Sequence, residues 1–406
     1  MAVSDKVLIS TSQHGVVSVL LNRPQALNSL DTDMVSRLRE LLEDWALPEP
    51  CHPSSPPAAV CAIIKGAGNK AFCAGGDIKL IAQACGSGDT KPGNHFFAIE
   101  YDVNHKISQL RIPYVALIDG IVMGGGAGVS MHGHFRVATE RTVFAMPECA
   151  IGIFPDIGSS FFLQQLPGRL GLWLGLTGAR LKGVDVRDSG LATHFIPSHL
   201  LERVEEGIMA LSEQNSTATN NSRQALRSLD LSEVDAVLRR LQSEGGAMPA
   251  GKLKQQLPWI NHHFGLSSIN SIIESLKKRH TQLTQQQQGG NALAGTADEA
   301  AWIEETLQGL ERGSPLSLCV TFELFKRMQH STLQECLQQD FKLIRKFVGG
   351  KGDFVEGVTA LLIDRGRKAV WKYNSVYEVP PHVLDSFFED DVAAIPSQVS
   401  HQGSRL

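Results

Sequence analysis

Apolar residues in the first two hundred positions gather mainly in short runs bounded by turn residues. Residues 16–21 (VVSVLL), 60–65 (VCAIIK) and 114–118 (YVALI) are such runs, and glycine, proline or asparagine closes or flanks each. Runs of this length between turn signals predict buried strands. Between them the period lengthens. Val35, Leu38, Leu41, Leu42 and Trp45 keep helical spacing, which predicts a helix over 33–45 with Asp31 as its cap. Residues 78–84 predict a second helix capped by Asp77, and 95–110 a third that carries Glu100 and ends before Pro113. Short helices are expected over 168–176 and 183–190, with a last strand over 192–196.

From about Ser198 the pattern is mainly helical, over 200–212, 231–242, 267–279, 296–310, 316–328 and 332–348. In the last of these Leu333, Cys336, Leu337, Phe341, Ile344 and Val348 share one face. Residues 1–200 thus read as a strand-and-helix catalytic domain, 201–390 as a helical C-terminal region, and 391–406 as a disordered tail. The proline-rich connector 47–58 reads as a surface loop, and the low-complexity segments 245–251 and 285–290 as mobile links.

Two glycine turns and a few carboxylates carry the candidate chemistry. Gly75-Gly76 follows the strand at 60–65, and Gly124-Gly125-Gly126 follows the strand at 114–118; each precedes a helix start. Such turns let N–H groups converge on one oxygen, which is how an oxyanion hole is built. The expected donors are Gly76 and Gly125. Glu148 and Asp156 lie in the mostly apolar stretch 144–160, where a carboxylate is costly unless it has a function or a partner. Burial would raise their pKa values and hydrogen bonds would lower them, so the sequence leaves the net direction open.

The segments LNRPQALNSL, KAFCAGGDIK, GIVMGGGAGVS and FAMPECAIGIFPDIGSS, in this order, resemble the crotonase (enoyl-CoA hydratase/isomerase) superfamily, and within it the 3-hydroxyisobutyryl-CoA hydrolase branch. The similarity continues through LTGARLKGVDVRDSGLATHFI and DFVEGVTALLIDR. The resemblance implies an α/β fold, a crotonase-like (ClpP/crotonase) ββα spiral with a helical C-terminal region. It implies hydrolysis of a short-chain 3-hydroxyacyl-CoA thioester in valine breakdown, with residues 25–28 beside CoA and Glu100 as a substrate-binding residue. CoA would arrive as part of the substrate, with no separate cofactor and no metal. In hydratases of the superfamily a glutamate just after the glycine cluster works with a second one in the later motif. Here the first position is Gly128 and only Glu148 remains, which sets the chain apart from two-carboxylate addition of water. Cys149 stands where threonine is usual, and Ser159 and Ser160 replace glycine or alanine.

Composition narrows the partners. The formal net charge of −4, with both signs interspersed, forms no basic stripe for nucleic acid, and no apolar run approaches a membrane span. The expected partner is a small acyl-CoA thioester, and a homo-oligomer is compatible with the sequence. The seven cysteines are scattered without a CxxC pair, which fits a reducing compartment. The ending Ser404-Arg405-Leu406 is a variant of the peroxisomal Ser-Lys-Leu address, with the mitochondrial matrix as the alternative.

Glu148 could attack the thioester carbonyl or take a proton from an attacking water. Asp156 could hold the substrate hydroxyl or the water, or help protonate the leaving thiolate. A dinucleotide fingerprint is excluded, because Val129 and Met131 stand where its third glycine belongs. His132 and His134 alternate as in a strand and point apart, so a shared metal is not expected. His262-His263 reads as surface or packing, and Cys73 and Cys149 as small hydrophobes. The remaining rivals are an enoyl-CoA hydratase or isomerase on the same scaffold, and a non-catalytic acyl-CoA-binding protein.

Overall fold

The structure, a computed structural model, describes residues 5–46, 59–218, 228–246, 249–288, 295–365 and 367–389. The expectations for 47–58, for the tail 391–406 and for its Ser-Arg-Leu ending lie outside the described residues.

Among the described residues ten strands form two sheets. The larger contains β1 (Val7–Thr11), β2 (Val16–Leu21), β3 (Cys61–Gly66), β5 (Tyr114–Ile118), β7 (Phe135–Ala138) and β10 (His194–Phe195), in that order, parallel except for β1 against β2. The smaller contains β4 (Ala71–Cys73), β6 (Ile121–Met123), β8 (Val143–Ala145) and β9 (Leu181–Lys182). The chain visits the large sheet, then the small one, then a helix, and repeats. β3 and β4 lead to helices α2 (Lys79–Gly86) and α3 (Lys91–Ser108), and β5 and β6 lead to α4 (Gly125–Met131); α1 (Thr32–Ala46) precedes them. This is the ββα spiral. The short strands of the small sheet, three residues or fewer, are below what an apolar run can signal.

Period-two alternation places the two faces of the large sheet in different cores. Ala62, Ile64, Ala116 and Ile118 face α1 and α3 in the main core. Ile63, Val115, Leu117 and Val137 face Val204, Ile208, Val234, Leu238 and Leu241. The helices Leu201–Ala218 and Leu231–Glu244 therefore cover the back of the sheet. The apolar core crosses residue 200 on the other face too: Phe154 packs on Phe347 with ring centroids 5.5 Å apart, and Tyr101 meets Phe341 edge-on at 6.4 Å.

Several boundaries differ from the expectations for physical reasons. Asp31 caps α1 as expected, its Oδ1 accepting from Met34 N at 3.0 Å. Asp77 does not cap α2, which begins after Ile78 without a side-chain cap; its carboxylate instead accepts from Arg23 Nη2 at 2.8 Å. α3 starts at Lys91 rather than 95, because Pro92 fits the first turn of a helix. The link 285–290 is helical as far as Gln288, continuing Ile269–Gln288. Leu253–Phe264 is a further helix, with Pro258 inside it, over a segment for which no element was expected. His132 is the C-terminal cap of α4, not a strand residue.

Asn28 joins the segment after β2 to the connection between β3 and β4. It is fully buried with φ +56°, donates from Nδ2 to Ala67 O at 2.9 Å and Ala71 O at 2.8 Å, and accepts from Arg23 N at 3.0 Å. Asn28→Leu strands two carbonyls and one N–H at once. The expected cost is roughly 2–4 kcal/mol, read as a lower urea midpoint; an unchanged midpoint would dismiss this linkage.

Candidate functional site

The two glycine turns meet. Leu30 N donates to Gly75 O at 2.8 Å and Asp77 N to Leu30 O at 2.7 Å, a parallel bridge through the neighbours of Gly76. In that pattern the N–H of Gly76 itself points away from Leu30, toward the second turn. It lies 3.3 Å from where a Cβ on Gly125 would stand. Gly125 is the first residue of α4, so its own N–H has no partner within the helix. Gly124, with φ +45° and ψ −123°, gives the chain the bend that starts α4.

The carboxylates close on the same point from three elements. A Cβ on Gly124 would lie 2.9 Å from Glu148 Oε1, and one on Gly125 would overlap Glu100 Oε1. Glu148 opens a short 3-10 turn after Pro147, Glu100 lies on α3, and Asp156 precedes the turn Ile157-Gly158. All three are buried, at 4%, 2% and 4% exposure. Among the described residues no arginine, lysine or histidine forms an ion pair with any of them. Glu100 Oε1 and Glu148 Oε2 are buried without a hydrogen-bond partner, whereas Asp156 Oδ2 accepts from Tyr101 Oη at 2.6 Å.

This crowding fixes the direction that sequence left open. Burial, then the Asp156 and Glu148 charges, holds the Glu100 carboxyl well above its ordinary range. Burial and then Asp156 do the same to Glu148. Burial raises Asp156 to about 6, opposed by the bond from Tyr101. Cys73 and Cys149 thiols are pushed up to about 12 by burial, so they behave as small hydrophobes and not as thiolate nucleophiles. His263 packs on Trp302 and bonds Ser275 Oγ at 2.8 Å. Among the described residues no group of three or more His, Cys, Asp or Glu side chains is arranged to hold a metal ion.

All five residues singled out from the sequence, Gly76, Glu100, Gly125, Glu148 and Asp156, come together. Sequence reasoning missed Tyr101, Asn104 and Asp340. Tyr101 adjoins Glu100 on the same buried helix. Asn104 is buried with neither amide atom bonded, and a Cβ on Gly128 would lie 2.7 Å from its Nδ2. Asp340 is fully buried and accepts from Gly158 N at 2.7 Å. Its signal was present: it stands four residues from both Cys336 and Ile344, an acid on the apolar stripe of its helix. The segment after Gly352 supports Glu148: Ser314 N donates to Cys149 O at 2.9 Å, and Ser314 Oγ donates to Asp353 Oδ2 at 2.6 Å.

Comparison with known proteins gives the family and the fold. The family profile described as enoyl-CoA hydratase/isomerase matches residues 16–388. The chain is 40% identical over 372 residues to a Xenopus laevis protein named 3-hydroxyisobutyryl-CoA hydrolase, mitochondrial, covering 91% of this chain and 85% of that one. The Homo sapiens protein of the same name is 38% identical over 374 residues, covering 91% and 85%. An Arabidopsis thaliana protein named 3-hydroxyisobutyryl-CoA hydrolase 1 is 33% identical over 391 residues, covering 96% and 93%. Among solved structures, a carnitinyl-CoA dehydratase from Mycobacterium thermoresistibile superposes with a TM-score of 0.77 at 28% identity, covering 97% of this chain and 100% of that one. An enoyl-CoA hydratase from Rhodobacter sphaeroides 2.4.1 gives 0.74 at 29% identity, covering 94% and 97%. With its spiral, its paired glycine turns and these relatives, the chain belongs to the enoyl-CoA hydratase/isomerase family and has the crotonase fold.

Proposed function

We propose that the chain hydrolyses the thioester of a short-chain 3-hydroxyacyl-CoA, with 3-hydroxyisobutyryl-CoA as substrate and 3-hydroxyisobutyrate and CoA as products, a step of valine breakdown. The observation that carries this reading is the acid set around the glycine turns. Glu148 stands beside Gly124 with an unpartnered oxygen, while Gly128, where a hydratase carries its second acid, faces the Asn104 amide. The names of the relatives support the substrate. In this reading the thioester oxygen lies between the N–H groups of Gly76 and Gly125, which stabilise the charge that grows on it. Glu148 attacks the carbonyl carbon, or takes the proton of a water that does. The tetrahedral intermediate collapses and CoA leaves as the thiol; in the first case the mixed anhydride left on Glu148 is then hydrolysed by water to free the acid. Asp156, fixed by Tyr101, orients the 3-hydroxyl or returns the proton, and Glu100 borders the oxyanion site. CoA enters as part of the substrate. For the compartment, the mitochondrial relatives support the matrix over the peroxisome.

The test is release of free thiol from 3-hydroxyisobutyryl-CoA set against hydration of crotonyl-CoA. Thiol release should dominate, and Glu148→Gln should lose about 10²–10³ of it while still binding the ester. Dominant hydration would favour the hydratase reading, and binding without turnover the non-catalytic one. Unchanged release in Glu148→Gln removes that residue from the mechanism.

Ionisation adds a pH signature. Glu148 acts as the carboxylate, so its raised pKa makes kcat/KM fall as pH drops through that raised value, above the ordinary carboxylate range. Stability runs the other way. Below the unfolded pKa the carboxyl is protonated in both states, and as pH rises through the folded pKa the native state must ionise a buried acid and loses stability. Glu148→Gln should therefore melt higher than wild type at pH 8, and the gain should vanish toward about pH 4. Equal melting temperatures at both pH values would contradict it.

Restoring the second acid should not restore hydration. A side chain at Gly128 meets Asn104, so Gly128→Glu is expected to lower thiol release about tenfold or more without any gain on crotonyl-CoA. A variant that hydrates crotonyl-CoA would overturn the assignment of Gly128 and Asn104.

A further inference from the structure

Asp156 is followed by two residues in the left-handed region, Ile157 with φ +56° and Gly158 with φ +72°. For glycine this is ordinary, but for a β-branched residue it is a genuine outlier. Such a conformation persists only where the surroundings over-determine it. Here the surroundings can be named. The Ile157 carbonyl accepts from His132 Nε2 at 2.8 Å, and the N–H of the next residue, Gly158, donates to Asp340 Oδ2 at 2.7 Å. These two groups are the opposite edges of one peptide unit.

The two side chains come from distant parts of the chain. His132 caps the far end of α4, the helix that begins at Gly125. Asp340 comes from the helix Leu333–Val348 in the C-terminal half, is fully buried, and leaves its other oxygen without a partner. The same helix supports Asp156 a second time, because Phe341 packs edge-on against Tyr101, whose hydroxyl donates to Asp156. A side chain at 158 would strike Leu333 and His132, so the turn fits closely between its two holders.

We propose that His132 and Asp340 are positioning residues: by gripping the carbonyl and the N–H of the Ile157–Gly158 peptide, they hold the left-handed turn that aims the Asp156 carboxylate into the site. What the clamp uses of the buried Asp340 is an accepting oxygen, which satisfies the Gly158 N–H. The functional consequence rests on the hydrolase reading above; the clamp itself does not.

The experiment compares full-length Asp340→Asn, Asp340→Leu, His132→Leu and the double variant Asp340→Leu/Ile157→Gly. Thiol release gives kcat and KM, and amide hydrogen exchange reports on residues 154–162. Asparagine keeps an accepting oxygen, so Asp340→Asn should stay near wild type. Asp340→Leu and His132→Leu should lower kcat roughly tenfold to a hundredfold with KM little changed, and exchange in 154–162 should quicken. Ile157→Gly removes the strain that the clamp opposes, and should return part of the kcat lost in Asp340→Leu. Wild-type kcat in a folded Asp340→Leu, or an Asp340→Asn as damaged as Asp340→Leu, overturns the proposal. Should Asp340→Leu not fold, His132→Leu and Asp340→Asn decide by the same criteria. A wild-type protein that releases no thiol defeats the hydrolase reading alone, since unchanged exchange in 154–162 would defeat the clamp whatever the activity.

Discussion

Three carboxyl groups, with no cation paired to them among the described residues, are buried around two turns that lack side chains, and this unfavourable arrangement sets the terms for the rest of the molecule. Each of Glu100, Glu148 and Asp156 is pushed toward its neutral form by loss of water, Glu100 and Glu148 further by neighbouring carboxylates, while the bond from Tyr101 opposes the shift at Asp156. A chain free to relax would turn them outward or swell to admit solvent. It is prevented from doing so by attaching each acid to a different rigid element: a long buried helix for Glu100, a proline-led 3-10 turn for Glu148, and a left-handed turn held at both edges for Asp156.

The rigidity of those elements comes from both halves of the chain. The spiral supplies the glycine turns, because successive turns of ββα put β3 beside β5 and thus Gly76 beside Gly125. The helical half supplies the supports. Asp353 and Ser314 hold the backbone at Cys149, next to Glu148, while Asp340 and Phe341 hold the Asp156 side. Gly357 and Gly152 allow the backbones at 151–153 and 353–357 to touch, where a Cβ on either would overlap main-chain atoms. The helices after residue 200 are therefore part of the site's construction as well as its cover.

Much of this was legible in the sequence, for reasons that also explain what was not. The strands at 16–21, 60–65 and 114–118 are buried on both faces, and so leave a continuous apolar run. The glycine turns are legible because only glycine tolerates φ +45° at 124 with an acid 2.9 Å from the missing Cβ. β6, β8 and β9 are two or three residues long and carry no period of their own. Asp77 has the residue type and position of a cap, but Arg23, fifty-four residues earlier, competes for its carboxylate, and no local rule sees that partner. Tyr101 went unnoticed for the same reason, its role being a bond to a residue 55 positions away; Asp340 left a local sign, an acid on an apolar helix stripe, but its partner lies 182 positions away.

The divergence between this chain and the hydratases that share its fold can be traced to a small volume. Superposition on a hydratase and a dehydratase shows that backbone and topology do not distinguish them. Adding water across a double bond needs an acid and a base on one face of the substrate, whereas acyl transfer needs one nucleophile or base and a pre-formed site for the oxyanion. At position 128 there is no side chain to act as the second acid, and the Asn104 amide lies against the glycine. The same buried helix carries Glu100 and Tyr101, so the space that a second acid would occupy beside the glycine helix is bounded by groups that serve the remaining carboxylates. The bare glycine at 128 and the Asp156 turn held from the C-terminal half bear on the same small volume: the two glycine turns stay open beside Glu148, no carboxylate projects from 128, and Asp156 is fixed there through contacts with the helical half.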